Sequence, residues 1–128
     1  TMEICSEAPG FREDWKSDIT VWMNGVDCGT WTSPGDFGHR RGRLTSVVWP
    51  NGATQYGVLV SWEVGQDGCY VNGSRVGDVT VDELDLNGKS YVTVRIGNKE
   101  DAKYIGGFNI FGKDFGDYAQ DIVLSLEC

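Results

Sequence analysis

Positive charge is scarce in this sequence. Lys and Arg number 11 against 19 Asp and Glu, for a formal net charge of −8. Domains that neutralise phosphates carry the opposite balance, so neither nucleic acid nor an anionic membrane is an expected direct partner of this domain. Long apolar runs are also missing. None approaches the roughly 20 residues of a membrane-spanning helix, and no secretion-signal pattern opens the chain. Histidine occurs once and proline three times. The four cysteines, Cys5, Cys28, Cys69 and Cys128, form no C-x-x-C pair, which removes the zinc-ribbon and thioredoxin-like readings. A lone His39 leaves a mixed Cys/His zinc site short of ligands. Two disulfides would allow three connectivities. The plainer expectation is free thiols in a reducing compartment, hence a cytoplasmic protein.

Helical periodicity is the other thing missing: no window of about 11 residues shows it. Thr80-Val81-Asp82-Glu83 has the capping-box pattern, but the apolar stretch after Glu83 is long enough only for a turn or two. Alternation with period two runs through the chain instead. Ile19, Val21 and Met23 share one strand face, as do Val58, Val60, Trp62 and Val64. Val92, Val94 and Ile96 repeat the pattern, and so do Ile122, Leu124 and Leu126. Such alternation suits strands with one buried face.

Glycine is abundant, at 18 of 128 residues. Four Asn-Gly pairs, at 24–25, 51–52, 72–73 and 87–88, supply the positive-φ positions of type I′ turns. The clearest hairpins are predicted at Asn24-Gly25 and Asn72-Gly73. Roughly eight or nine short strands with frequent turns predict an all-β fold, an antiparallel β-sandwich of jelly-roll type, as one domain over residues 1–128.

Two glycine-rich segments are the candidate functional loops, because long loops on a β-scaffold commonly carry function. The first, Trp31 to Gly42, offers Trp31, Asp36, His39, Arg40 and Arg41 as ligand contacts. The second, Gly106 to Asp121, offers Asn109, Lys113 and Gln120. Aromatic rings would stack, Arg and Lys would hold an anion or hydroxyls, and Asp and Asn would fix orientation. The plainer reading of the first loop is a Pro-Gly turn with solvated arginines. For the second it is a plug of Phe108, Phe111, Phe115 and Tyr118 at one end of the sandwich. Asp114, Asp117 and Asp121 leave room for a structural calcium, although their spacing is not that of an EF-hand. No other cofactor is implied. Trp22, Trp31 and Trp49 are candidate platforms for a sugar or a partner chain, whereas Trp62 is in phase with the core. Neither G-x-S-x-G nor H-E-x-x-H is present, so the chain reads as a binding module and not as an enzyme.

The run from Asp18 to Val26, the string Trp31-Thr32-Ser33-Pro34-Gly35-Asp36-Phe37-Gly38 with Arg41-Gly42, and the closing run from Gly106 to Lys113 and on to Ile122 resemble the C-terminal domain of bacterial winged-helix transcriptional regulators of the arsenic-repressor type. The resemblance spans about Glu3 to Glu127. It implies a longer chain with an N-terminal DNA-binding domain. This sequence departs from it in having no helix-turn-helix pattern. The jelly-roll outline is also similar to galactose-binding-like domains, a likeness of fold alone. The resemblance implies an effector domain that senses a small molecule or sugar, or that forms a homodimer. The alternatives are a carbohydrate-binding module with no regulatory role and a small hydrolase.

Overall fold

The computed structural model describes residues 1–127. Cys128 lies outside the described residues. The fold is all-β, with two short 3-10 turns at Val81–Leu84 and Leu86–Gly88. The described strands are β1 (Met2–Cys5), β2 (Ser17–Met23), β3 (Val26–Ser33), β4 (Val58–Val60), β5 (Trp62–Val64), β6 (Cys69–Val71), β7 (Ser74–Gly77), β8 (Val94–Gly97) and β9 (Asn109–Phe111). They form three antiparallel sheets in the orders β4-β1-β9, β3-β2-β8 and β5-β6-β7.

Two hairpins form where the Asn-Gly pairs predict them. Asn24 and Gly25 have φ of 50° and 78°, and Asn72 and Gly73 have 48° and 83°. These are the two left-handed positions of a type I′ turn, whose twist matches the paired strands. The turns connect β2 to β3 and β6 to β7. The other two pairs do different work. Only Gly52 is left-handed in the second pair, and Asn87-Gly88 lies in a 3-10 turn. The capping-box segment at Thr80 opens the short 3-10 turns, the turn or two that its length allows, with Glu83 accepting from the Thr80 N–H at 3.1 Å.

The predicted apolar faces converge in part; the predicted face of Val92, Val94 and Ile96 does not, since Val92 precedes β8 and Val94 is 43% exposed, leaving Ile96 packed against the core. Met2 and Ile4 from β1, Ile19 and Val21 from β2, Val60, Trp62 and Val71 form one buried cluster. The alternation of Val58, Val60, Trp62 and Val64 continues through Ser61, but the strand does not. β4 pairs with β1 while β5 pairs with β6, so the chain changes sheets at one residue. The last predicted strand is a correction. Ile122, Leu124 and Leu126 lie in no strand and are 47–61% exposed. This segment is held to the rest through Val123, whose N–H and C=O both bond Thr1 at 2.9 Å.

The outer face of β1 positions the loops. Glu3 and Cys5 point away from the apolar cluster, yet both are fully buried. The glycine-rich segments cover them.

Candidate functional site

Two buried carboxylates pin the loops onto β1. Glu3 accepts backbone N–H bonds from Gly57 at 2.7 Å, Asp117 at 2.9 Å and Tyr118 at 3.1 Å. Three donors aimed at one carboxylate satisfy a charge that would otherwise be costly to bury. The fit is close: a Cβ on Gly116, whose φ is +83°, would lie 2.5 Å from the Glu3 oxygens. Asp36 plays the same part for the first loop. It is fully buried and accepts from the Ala8 N–H at 2.9 Å and the Thr54 hydroxyl at 2.6 Å. Burial is the main reason its pKa is raised above the ordinary 3.8. Burial, with Asp36 beside it, also pushes the Cys5 thiol up to about 12. That thiol stays protonated and unreactive near neutral pH. Cys5, Cys28 and Cys69 are all buried free thiols.

The two glycine-rich segments meet directly. Arg40 makes a two-pronged pair with Asp117 at 3.0 and 2.6 Å. Asp117 also accepts from the Arg43 N–H at 3.0 Å. The arginine is half exposed, whereas the Asp117 side chain is only 11% exposed. This cationic partner is the main reason the Asp117 carboxyl lies below its ordinary pKa. Just past the first segment the chain joins the second through further bonds. Leu44 N–H donates to Gly116 O at 2.7 Å, and Gly116 N–H donates to Thr45 Oγ1 at 3.0 Å. Trp49 packs edge-on against Phe115 with centroids 5.0 Å apart.

A polar cluster stands on this junction. The Arg40 guanidinium lies 3.7 Å above the Tyr56 ring, which stacks on Phe37 at 5.4 Å. The Tyr56 hydroxyl lies 3.0 Å from His39 Nδ1, and His39 also bonds Glu13. His39 and Glu13 are about half exposed, at 52% and 45%. The cluster therefore presents an imidazole, a carboxylate, a phenol and a guanidinium to solvent on a rigid base. Such groups can exchange hydrogen bonds with hydroxyls or with an anion.

The predicted contacts divide accordingly. His39 and Arg40 stand in the exposed cluster. Asp36 is an internal fastener, sealed from any ligand. Arg41 is spent on its own loop, bonding Trp49 O at 3.1 Å and Asn51 Oδ1 at 2.7 Å. Trp31 lies in β3 against Trp62, with ring centroids 6.5 Å apart. Asn109 lies in β9 and donates to Ser6 O at 3.1 Å. Lys113 is exposed and its N–H is held by Asp121 at 3.1 Å. Gln120 is half-buried, with its N–H on Tyr118 O at 2.8 Å. Among these eight side chains, the junction unites His39 and Arg40.

Sequence reading missed Glu3, Glu13, Tyr56 and Asp117 as members of this unit. Glu3 left a signal, being the charged residue inside Met-Glu-Ile-Cys. The others became visible only through long-range contacts. The aromatic plug is partly formed: Phe111 is buried and tilts against Phe115 at 5.7 Å, while Tyr118 is 39% exposed. Trp22 is covered by Arg95, whose guanidinium lies 4.9 Å from its ring, so Trp22, Trp31 and Trp49 each have a packed neighbour. Asp117 and Asp121 already accept backbone N–H bonds, from Arg43 and Lys113. Among the described residues no group of three or more His, Cys, Asp or Glu side chains gathers to hold a metal ion. No described helix is long and apolar enough to cross a membrane.

Comparisons with known protein families, with curated proteins and with solved structures return no match.

Proposed function

We propose that this chain is the ligand-sensing domain of a cytoplasmic bacterial transcription regulator, a jelly-roll sandwich carried on a longer chain with its DNA-binding domain elsewhere. The observation that carries the reading is the Arg40–Asp117 junction between the two glycine-rich loops, topped by exposed His39, Glu13 and Tyr56. A small polyhydroxylated ligand such as a sugar would exchange hydroxyl hydrogen bonds with His39 and Glu13. It would also compete with Asp117 for the outer edge of the Arg40 guanidinium. Ligand then favours whichever arrangement of the loop pair binds it better, and that difference alone biases an attached domain. A tenfold bias needs only about 1.4 kcal/mol of differential binding.

Trp49 reports on the junction, because its ring rests on Phe115 of the other loop. Titration with a panel of mono- and disaccharides should change tryptophan emission saturably and raise the thermal midpoint. Arg40→Gln should abolish both responses. A panel that moves neither reading removes the sensor proposal. A carbohydrate-binding module is the alternative reading, and Trp49, 41% exposed, is the platform it would use. Dimerisation is the second reading, favoured by the exposed Ile122, Leu124 and Leu126 on an extended segment. It predicts a dimer by light scattering that Leu124→Lys dissociates.

A further inference from the structure

A second cluster lies where residues 14–16 face residues 103–106 across a cleft of about 470 Å³. The depression is open to solvent over most of its extent. Its lining includes Trp15, Tyr104 and Ile105, its cations are Lys16 and Lys103, and the Arg12 guanidinium lies 5.3 Å from the centroid of the Trp15 ring. Both ammonium nitrogens lie 5.2 Å from the centroid of the Tyr104 ring. In a chain with 19 acidic side chains, two neighbouring lysines would be expected to find carboxylates. Neither takes part in an ion pair among the described residues. Asp14, the one carboxylate lining the cleft, is held by Arg12 at 3.2 Å. The ring face attracts the ammonium groups without neutralising them, so their charge remains available.

The backbone beneath is fixed, although it belongs to no strand. Tyr104 exchanges two bonds with Asp18: its carbonyl accepts from the Asp18 N–H at 2.8 Å, and its N–H donates to the Asp18 carboxylate at 3.1 Å. Trp15 Nε1 donates to Gly106 O at 3.1 Å. A Cβ on Gly106 would lie 2.3 Å from Lys16 O, so glycine is what lets the two walls approach. Preformed walls reduce the ordering cost of binding.

We propose that this cleft binds a small organic anion, a phosphate ester or carboxylate carried on a sugar-like ring, with Lys16 and Lys103 on the anionic group and the apolar lining of Trp15, Tyr104 and Ile105 beside the ring. The proposal does not rest on the sensor reading. It is tested by amide chemical-shift titration of the chain with glucose 6-phosphate, galacturonate, inorganic phosphate and glucose. Glucose 6-phosphate or galacturonate should shift Trp15, Lys16, Tyr104 and Gly106 saturably, and affinity should fall as salt rises. The double variant Lys16→Gln, Lys103→Gln should weaken binding at least tenfold. Both lysines are exposed, so the fold should survive, which circular dichroism checks. Arg40→Gln should leave these shifts intact, separating this site from the junction. The proposal is overturned if neither organic anion shifts these amides, or if the double variant binds as well as the original chain. It is also overturned if glucose or inorganic phosphate alone binds as tightly as the ester, since then either charge or ring would be irrelevant.

Discussion

β1 and the segment after Asp121 carry the same kind of sequence and meet opposite fates. Met2-Glu-Ile-Cys is buried at every position and has strands on both sides. Ile122-Val-Leu-Ser-Leu is more apolar, yet it is exposed throughout, and its Val123 is hydrogen-bonded to Thr1, just ahead of β1. Alternation states that a segment can present an apolar face. Whether that face is used depends on how many neighbours the topology supplies. For β1 the supply is unusual, because its polar face is roofed by loops. A glutamate there becomes an anchor and not an error of patterning.

This contrast is broken most forcefully at Glu3. Glu3→Ala leaves the buried N–H groups of Gly57, Asp117 and Tyr118 without their acceptor, so the expected loss is about 3–5 kcal/mol. Urea unfolding monitored by far-UV circular dichroism measures it. Glu3→Gln, which keeps one acceptor oxygen, should lose less. Next comes Ile4→Ala, a fully buried deletion on the apolar face of the same strand, expected to cost about 3 kcal/mol.

A smaller effect concerns pH. The Asp36 carboxyl is raised above 3.8 by burial, so the folded chain holds a proton that the unfolded chain releases in that window. Stability from this group should therefore fall as pH rises from 3.8 through the folded-state value, with a slope of at most about 1.4 kcal/mol per pH unit for one proton. Asp117 is lowered by Arg40, so its contribution is present above 3.8 and lost as pH falls below it. The two windows lie on opposite sides of 3.8. Asp36→Asn should flatten only the upper one, as read from thermal midpoints between pH 4 and 7. A wild-type profile that matches the variant there would contradict the assignment.

The smallest effect sharpens the comparison from its other end. Leu124→Ala should cost under about 0.5 kcal/mol in the monomer, because the side chain is already 47% exposed. A loss equal to that of Ile4→Ala would mean that the segment is covered in solution. A protein-concentration series would then show whether a second copy covers it.

The same contrast marks what could be read in advance. Strand faces were legible at Ile19, Val21, Val60 and Trp62, since burial on one face imposes period two. The Asn24 and Asn72 turns were legible because few residue pairs tolerate consecutive positive φ. Ser61 was not, because a change of sheet leaves alternation intact. Within the candidate loops, residue type alone did not separate His39 and Arg40 from Asp36 and Arg41. All four are polar and lie within six positions of one another. What separates them is the partner each finds: Thr54 and Ala8 for Asp36, and loop carbonyls for Arg41. Those partners are set by the fold. The meeting of Arg40 with Asp117 spans most of the chain, and no local pattern encodes it.

Ser61 carries a topological consequence. Val60 belongs to the sheet under the loops and Trp62 to the sheet of β5, β6 and β7, with two Cα–Cα steps of about 3.8 Å each between them. The turn residue Asn72 clasps this link from both sides, its Oδ1 accepting from Ser61 N–H and its own N–H donating to Ser61 O, each at 2.9 Å. One residue and its clasp are thus all that lies between β4 and the β6–β7 hairpin, so the two sheets share a seam as well as a core.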